Sequence, residues 1–169
     1  MNQYEKDVIN ARKNKLDQRF ANSIIEHARI LTKEIIIDAD KKVSILSDSF
    51  NEFFYSKIED NINNFLKKDS NNIFELIVID IQKNNNLIKK FQKDFPKQFK
   101  VKFISEDKFP TDNDTHERVN YIVNDNNAFR YEYSDKNIQH GVVNAIANFN
   151  HPKDTKILSD MFIKIQQAS

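Results

Sequence analysis

The sequence predicts an α/β protein: a single mixed β-sheet flanked by helices on both faces, with a long N-terminal helix. Three observations carry that expectation. Segments of helical and strand period alternate from the first residues to about residue 104, the order that makes strands parallel. Three strand candidates then follow with no helix between them, the order that makes strands antiparallel. Between these regions lies Phe74-Glu75-Leu76-Ile77-Val78-Ile79, a nearly unbroken β-branched and aromatic run suited to a strand covered on both faces.

Each element has its own warrant. Leu16, Phe20, Ile24, Ala28, Leu31 and Ile35 recur at helical spacing and predict one amphipathic helix over residues 16–36. Extended back through Val8 and Tyr4, it has first turns with little to bury, which read as a frayed arm or a partner-binding element. Val43, Ile45 and Leu46 form a strand closed by Ser47-Asp48-Ser49, a capped helix start. The helix that follows places Phe50, Phe53, Phe54, Ile58, Ile62, Phe65 and Leu66 on one side. Residues 74–79 are expected at the centre of the sheet. Leu87, Ile88, Phe91 and Phe95 make the next helix, stopped at Pro96, and Phe99, Val101 and Phe103 alternate as a strand. Residues 105–117 are acidic and rich in turn formers, hence a surface loop. Strands are expected over 118–124, 128–133 and 142–149, the first two joined by the turn Asp125-Asn126-Asn127, and Pro152 opens a last helix carrying Ile157, Leu158, Met161, Phe162 and Ile165. The organisation is an N-terminal helical segment, 1–40, followed by an α/β domain, 41–169.

Composition excludes several function classes. The 169 residues, 39% hydrophobic with 14 Phe, suffice for one packed core without disulfides or a structural metal. With no Cys there is no disulfide scaffold, thiolate zinc site, iron–sulfur cluster or Cys nucleophile. The single glycine, Gly141, cannot build a Walker loop or a dinucleotide fingerprint. A formal charge of +1 gives no overall pull toward nucleic acid or lipid. No apolar stretch is long enough to span a bilayer, so a cytoplasmic protein without membrane partners is expected. No histidines stand at metal-ligand spacing, and neither a metal nor any other cofactor is expected.

Two late segments, Arg118-Val-Asn-Tyr-Ile-Val-Asn-Asp125 and Ala145-Ile-Ala-Asn-Phe-Asn150, together with Phe129-Arg130-Tyr131-Glu132 between them, resemble a single half of the phospholipase D-like superfamily over residues 41–167. The first matches its H-x-K-x-x-x-x-D motif in degenerate form. With Asp125 aligned to the family's aspartate, the nucleophile's position holds Arg118 and the phosphate-binding lysine's position holds Asn120. A guanidinium stays protonated and cannot be a nucleophile. The resemblance therefore implies the fold, a polar pocket lined by Arg118, Asn120, Asp125 and Asn148 with Ser47, Asp48 and Ser49 at its edge, and a catalytically inactive binding module. It also implies a homodimer or a place in a larger complex, because single-motif members join two copies to complete one cleft. The simplest outcome at the pocket is an internal Arg118–Asp125 ion pair filling the old phosphate site.

Other readings remain open. A divergent phosphodiesterase or nuclease would use His116 or His140. His116 lies in a His-Glu-Arg sequence that imitates H-x-K, although the aspartate then falls two residues late, and a solvated loop histidine is the ordinary alternative for both. His27 and His151 read as structural or solvated. A nucleic-acid-binding accessory protein would use the basic residues 83–102, with Lys89, Lys90, Lys93 and Lys97 against a phosphate backbone; the competing reading is a solvated helix face. A protein partner is compatible with each reading.

Overall fold

A computed structural model of the chain describes residues 2–112, 116–132 and 142–168, with side chains in the last span from residue 144 onward. The elements are α1 (Gln3–Lys13), β1 (Phe20–Ile24), α2 (Ile25–Asp38), β2 (Lys42–Ser47), α3 (Glu52–Tyr55), α4 (Glu59–Lys68), β3 (Ile73–Ile79), α5 (Asn86–Asp94), β4 (Phe99–Ile104), β5 (Asn120–Asn124), β6 (Phe129–Glu132), β7 (Val142–Asn148) and α6 (Pro152–Gln167). The seven strands form one sheet in the order β1-β7-β6-β5-β2-β3-β4. β2, β3 and β4 run parallel, each linked to the next by helix, and every other pairing is antiparallel. The mixed sheet predicted from the element order is the one formed.

Helices cover both faces. On one, Leu31 and Ile35 of α2, Ile62 and Leu66 of α4 and Phe91 of α5 pack against Val43, Ile45, Phe74, Leu76, Phe99 and Ile122. On the other, Leu158 and Phe162 of α6 pack against Leu46, Ile77, Ile79, Tyr121, Val123 and Phe129. Tyr121 adds a polar anchor there, its hydroxyl donating to the Leu158 carbonyl at 3.1 Å, and burial pushes its ionisation upward.

The N-terminal region departs from the expected helix over 16–36. Residues 20–24 are β1, an edge strand paired with β7 through Phe20↔Ala147, Ala21↔Ile146 and Asn22↔Ala145. Leu16, Phe20 and Ile24 sit four apart and imitate a helical stripe, but Phe20 and Asn22 are buried while Ala21 and Ser23 are exposed, a period of two. Pairing with a strand about 120 residues away overrides the local pattern. Nor is the first helix an unburied arm: Val8 and Ala11 are fully buried, and Arg12 Nε bonds Glu34 Oε2 at 2.6 Å to clamp α1 onto α2. The strand expected at the sheet centre, β3, lies next to the β4 edge, and the middle place belongs to β5. An apolar run requires two covered faces and two strand neighbours, and a penultimate strand has both.

Candidate functional site: a polar cleft at one end of the sheet

β2 leaves the sheet through a tight turn. Ser47 Oγ accepts the Phe50 N–H at 3.0 Å, and Phe50 takes a left-handed φ of 39°, a conformation costly for a bulky residue and sustained by burying its ring against Tyr55 at 4.0 Å. The turn places Asp48 at the C-terminal end of β2, with half-buried Ser49 just beyond. Because β5 runs antiparallel to β2, its first residue Asn120 arrives at the same end, where its Oδ1 accepts the Asp48 N–H at 2.6 Å. Arg118, two residues earlier, lies with Nη1 3.6 Å from Asp48 Oδ2 and pairs through Nη2 with Glu106. Glu132, at the end of β6 and opposite Asn120 in register, pairs with Arg130, whose Nε donates to Asn22 Oδ1 at 3.2 Å.

The cleft is thus five charged groups and two amides, all buried except Arg118 at its edge and the exposed Glu106. Burial pushes the Glu132 carboxyl upward, the Asp48 charge adds to that, and the Arg130 guanidinium opposes both without prevailing. Among the described residues, Asp48 Oδ1, Asn120 Nδ2 and Asn22 Nδ2 are buried without a hydrogen-bond partner. Carboxylates that face inward next to Arg118 make the cleft a poor host for a free phosphate. No histidine or lysine of the described chain is among these groups, and no cluster of three or more His, Cys, Asp or Glu among the described residues could hold a metal ion.

Five of the seven residues expected at the pocket come together here: Ser47, Asp48, Ser49, Arg118 and Asn120. Asp125 and Asn148 lie at the opposite end of the sheet. The Asp125 carboxylate accepts the backbone N–H groups of Asp40 at 3.0 Å and Lys41 at 2.8 Å, and Asn148 Nδ2 donates to Asp17 at 2.7 Å. The expected Arg118–Asp125 pair is therefore replaced by pairs to Asp48 and Glu106, because β5 itself, roughly 20 Å of extended chain with its flanks, stands between the two residues. Arg130 and Glu132 lie outside the expected pocket, and their one signal in the sequence is two charges at i and i+2 in an otherwise apolar strand, which places both on the same face. Asn22 and Glu106 had no such signal.

The other candidates are dispersed. His116 is exposed, has a left-handed φ of 57° and donates its N–H to the Asp112 carbonyl at 2.9 Å. His140 lies outside the described residues. His27 stacks on Tyr4 at 3.6 Å, where burial raises the Tyr4 hydroxyl to about 12, and His151 Nδ1 caps α6 by accepting the Asp154 N–H at 3.3 Å. Of the lysines, Lys90 pairs with Glu59, and Lys89 bonds Asn84 at 3.3 Å. Lys93 and Lys97 are exposed, and Lys102 caps the C-terminal carbonyls of α6.

This architecture is found in known structures. The chain superposes on NucT from Helicobacter pylori with a TM-score of 0.60 at 10% identity, over 89% of this chain and 96% of that one. It superposes on phosphatidylserine synthase from Haemophilus influenzae Rd KW20 with a TM-score of 0.60 at 12% identity, over 89% of this chain and 38% of that one. Both are phospholipase D superfamily members. The fold is phospholipase D-like. A third structure, TrmBL2, an archaeal chromatin protein with a novel mode of DNA binding, matches with a TM-score of 0.64 at 10% identity over 96% of this chain; the chain spans 59% of its length. The sequence matches no protein-family model and no curated protein. No helix among the described residues is long and apolar enough to cross a membrane.

Proposed function

We propose that the chain is a catalytically inactive phospholipase D-like module that works by binding, as an accessory protein or a component of a larger assembly. One observation carries this reading: the position that the motif gives to a nucleophile holds Arg118, and its guanidinium is engaged by Asp48 and Glu106. A permanently protonated group can neither attack phosphorus nor relay a proton. Asn120, at the lysine's position, spends its carbonyl oxygen on the Asp48 backbone and brings no charge.

The test is hydrolysis of bis(p-nitrophenyl) phosphate and of single- and double-stranded DNA and RNA across pH 5–9. The wild type is expected to show no turnover above background. Turnover that disappears in a His116→Ala/His140→Ala variant would replace this reading with the divergent phosphodiesterase. A second reading, nucleic-acid binding, is favoured by the likeness to DNA-binding TrmBL2 along nearly the whole chain and by the exposed Lys93 and Lys97. It requires a DNA or RNA affinity that falls steeply with salt and a salt slope that shrinks in a Lys89→Ala/Lys93→Ala/Lys97→Ala variant.

A further inference from the structure

The two edges of the sheet are built differently. β4 carries Lys100, exposed on the strand, and Lys102, tied to the end of α6; lysines on an edge strand discourage another strand from adding to it. β1, at the other edge, reads Phe20-Ala21-Asn22-Ser23-Ile24, with neither charge nor proline. Among the described residues, the backbone of residues 20–23 bonds only β7, which leaves their outer N–H and C=O groups without a described partner. Ile24 is 42% exposed at its end. Among the described residues, nothing fills the sheet face beside this edge. α6 packs over β5 and β2, leaving a hollow of about 390 Å³ along β1, β7 and β6 that is lined by Arg19, Ala21, Ser23, Tyr131, Asn144 and Ile146.

We propose that the chain dimerises by antiparallel pairing of β1 with β1 of a second copy, joining two seven-stranded sheets into one. The edge is complementary to itself. With the two-fold axis at Asn22, Ala21 faces Ser23 of the second copy, two small side chains that let the strands approach, and Phe20 faces the exposed Ile24. The next position outward sets Arg19 against Ile25, the first residue of α2, so the strand register ends there. The bulge between Asn22 and Ile24 keeps the paired stretch short, which places the dimer among weak, exchanging interfaces. The dimer goes beyond the reading of the cleft and does not depend on it, because it uses an edge and not the ends of the central strands.

Sedimentation equilibrium of the full chain from micromolar to submillimolar concentration tests the proposal. The wild type is expected to dimerise, Ala21→Lys to raise the dimer Kd about tenfold or more, and Lys100→Ala at the other edge to leave it unchanged. Ser23→Lys, at a second exposed position, carries the same expectation should the first variant lose its native circular dichroism. The native chain has no cysteine, so an Ala21→Cys/Ser23→Cys variant reports directly: the facing positions are within disulfide reach across the axis, and a covalent dimer should form on oxidation. A wild type monomeric throughout, a dimer indifferent to lysine at 21 and 23, a dimer loosened by Lys100→Ala, or a dimer without the cross-link overturns the proposal.

Discussion

Arg118 shows what a single side chain can and cannot reveal from sequence. Its spacing to Asn120 marks the cleft, and both residues reach it. Its ionic partners come from the β2 turn and the loop after β4, which no local pattern connects to it. Arg118→Ala leaves the Asp48 carboxylate, 3% exposed at its side chain, with no ion-pair partner among the described residues, so a loss of about 1–3 kcal/mol is expected in urea unfolding. Inorganic phosphate should bind wild type and variant equally poorly; Arg118-dependent binding would show a working anion site instead. Glu132 makes a second prediction at this scale. Its folded carboxyl titrates above the ordinary 4.5, so the unfolded chain releases this proton first, and stability conferred by the protonated form is lost as pH rises from the unfolded value through the folded one. Thermal melts of wild type and Glu132→Gln should therefore diverge over that window, the wild type losing ground with rising pH. A difference in Tm that stays constant with pH would contradict the shift.

Among the elements, β3 and β1 mark the limits of periodicity. β3 was readable because burial on two faces admits little but apolar side chains, and its neighbours were not, because many placements satisfy that demand. Ile77, 1% exposed against the α6 face, should not tolerate a charge: Ile77→Asp is expected to abolish cooperative unfolding and native near-UV circular dichroism. Retention of a cooperative melt would move this strand out of the core. Tyr121→Phe is the milder companion, removing the donor to the Leu158 carbonyl at a cost of about 1 kcal/mol while preserving the packing of α6. β1 imitates a helix because Leu16, Phe20 and Ile24 satisfy a helical spacing, and what selects the strand is the antiparallel partner β7.

Across the whole molecule, the first forty residues supply an edge strand and two of the helices on one face. Removing them strips Leu31, Ile35 and Ile36 from the core and uncovers Val43, Ile45 and Ile122. A chain beginning at Lys41 should therefore bind hydrophobic dye and melt without cooperativity; a sharp two-state melt would establish 41–169 as a domain in its own right.

The sequence by itself determined the alternation of helices and strands after residue 40, the switch from parallel to antiparallel pairing, and the exclusion of cysteine and glycine-loop chemistries. These follow from short-range rules of period, capping and side-chain chemistry. Tertiary structure alone decided that residues 20–24 join the sheet, that Asp125 ties β5 to the start of β2, and that Asn22, Glu106, Arg130 and Glu132 complete the polar cleft. Each depends on which strand lies beside which and on the end at which its chain emerges. That choice is made by long-range burial and hydrogen bonding, to which segments of four or five residues contribute no distinguishing signal.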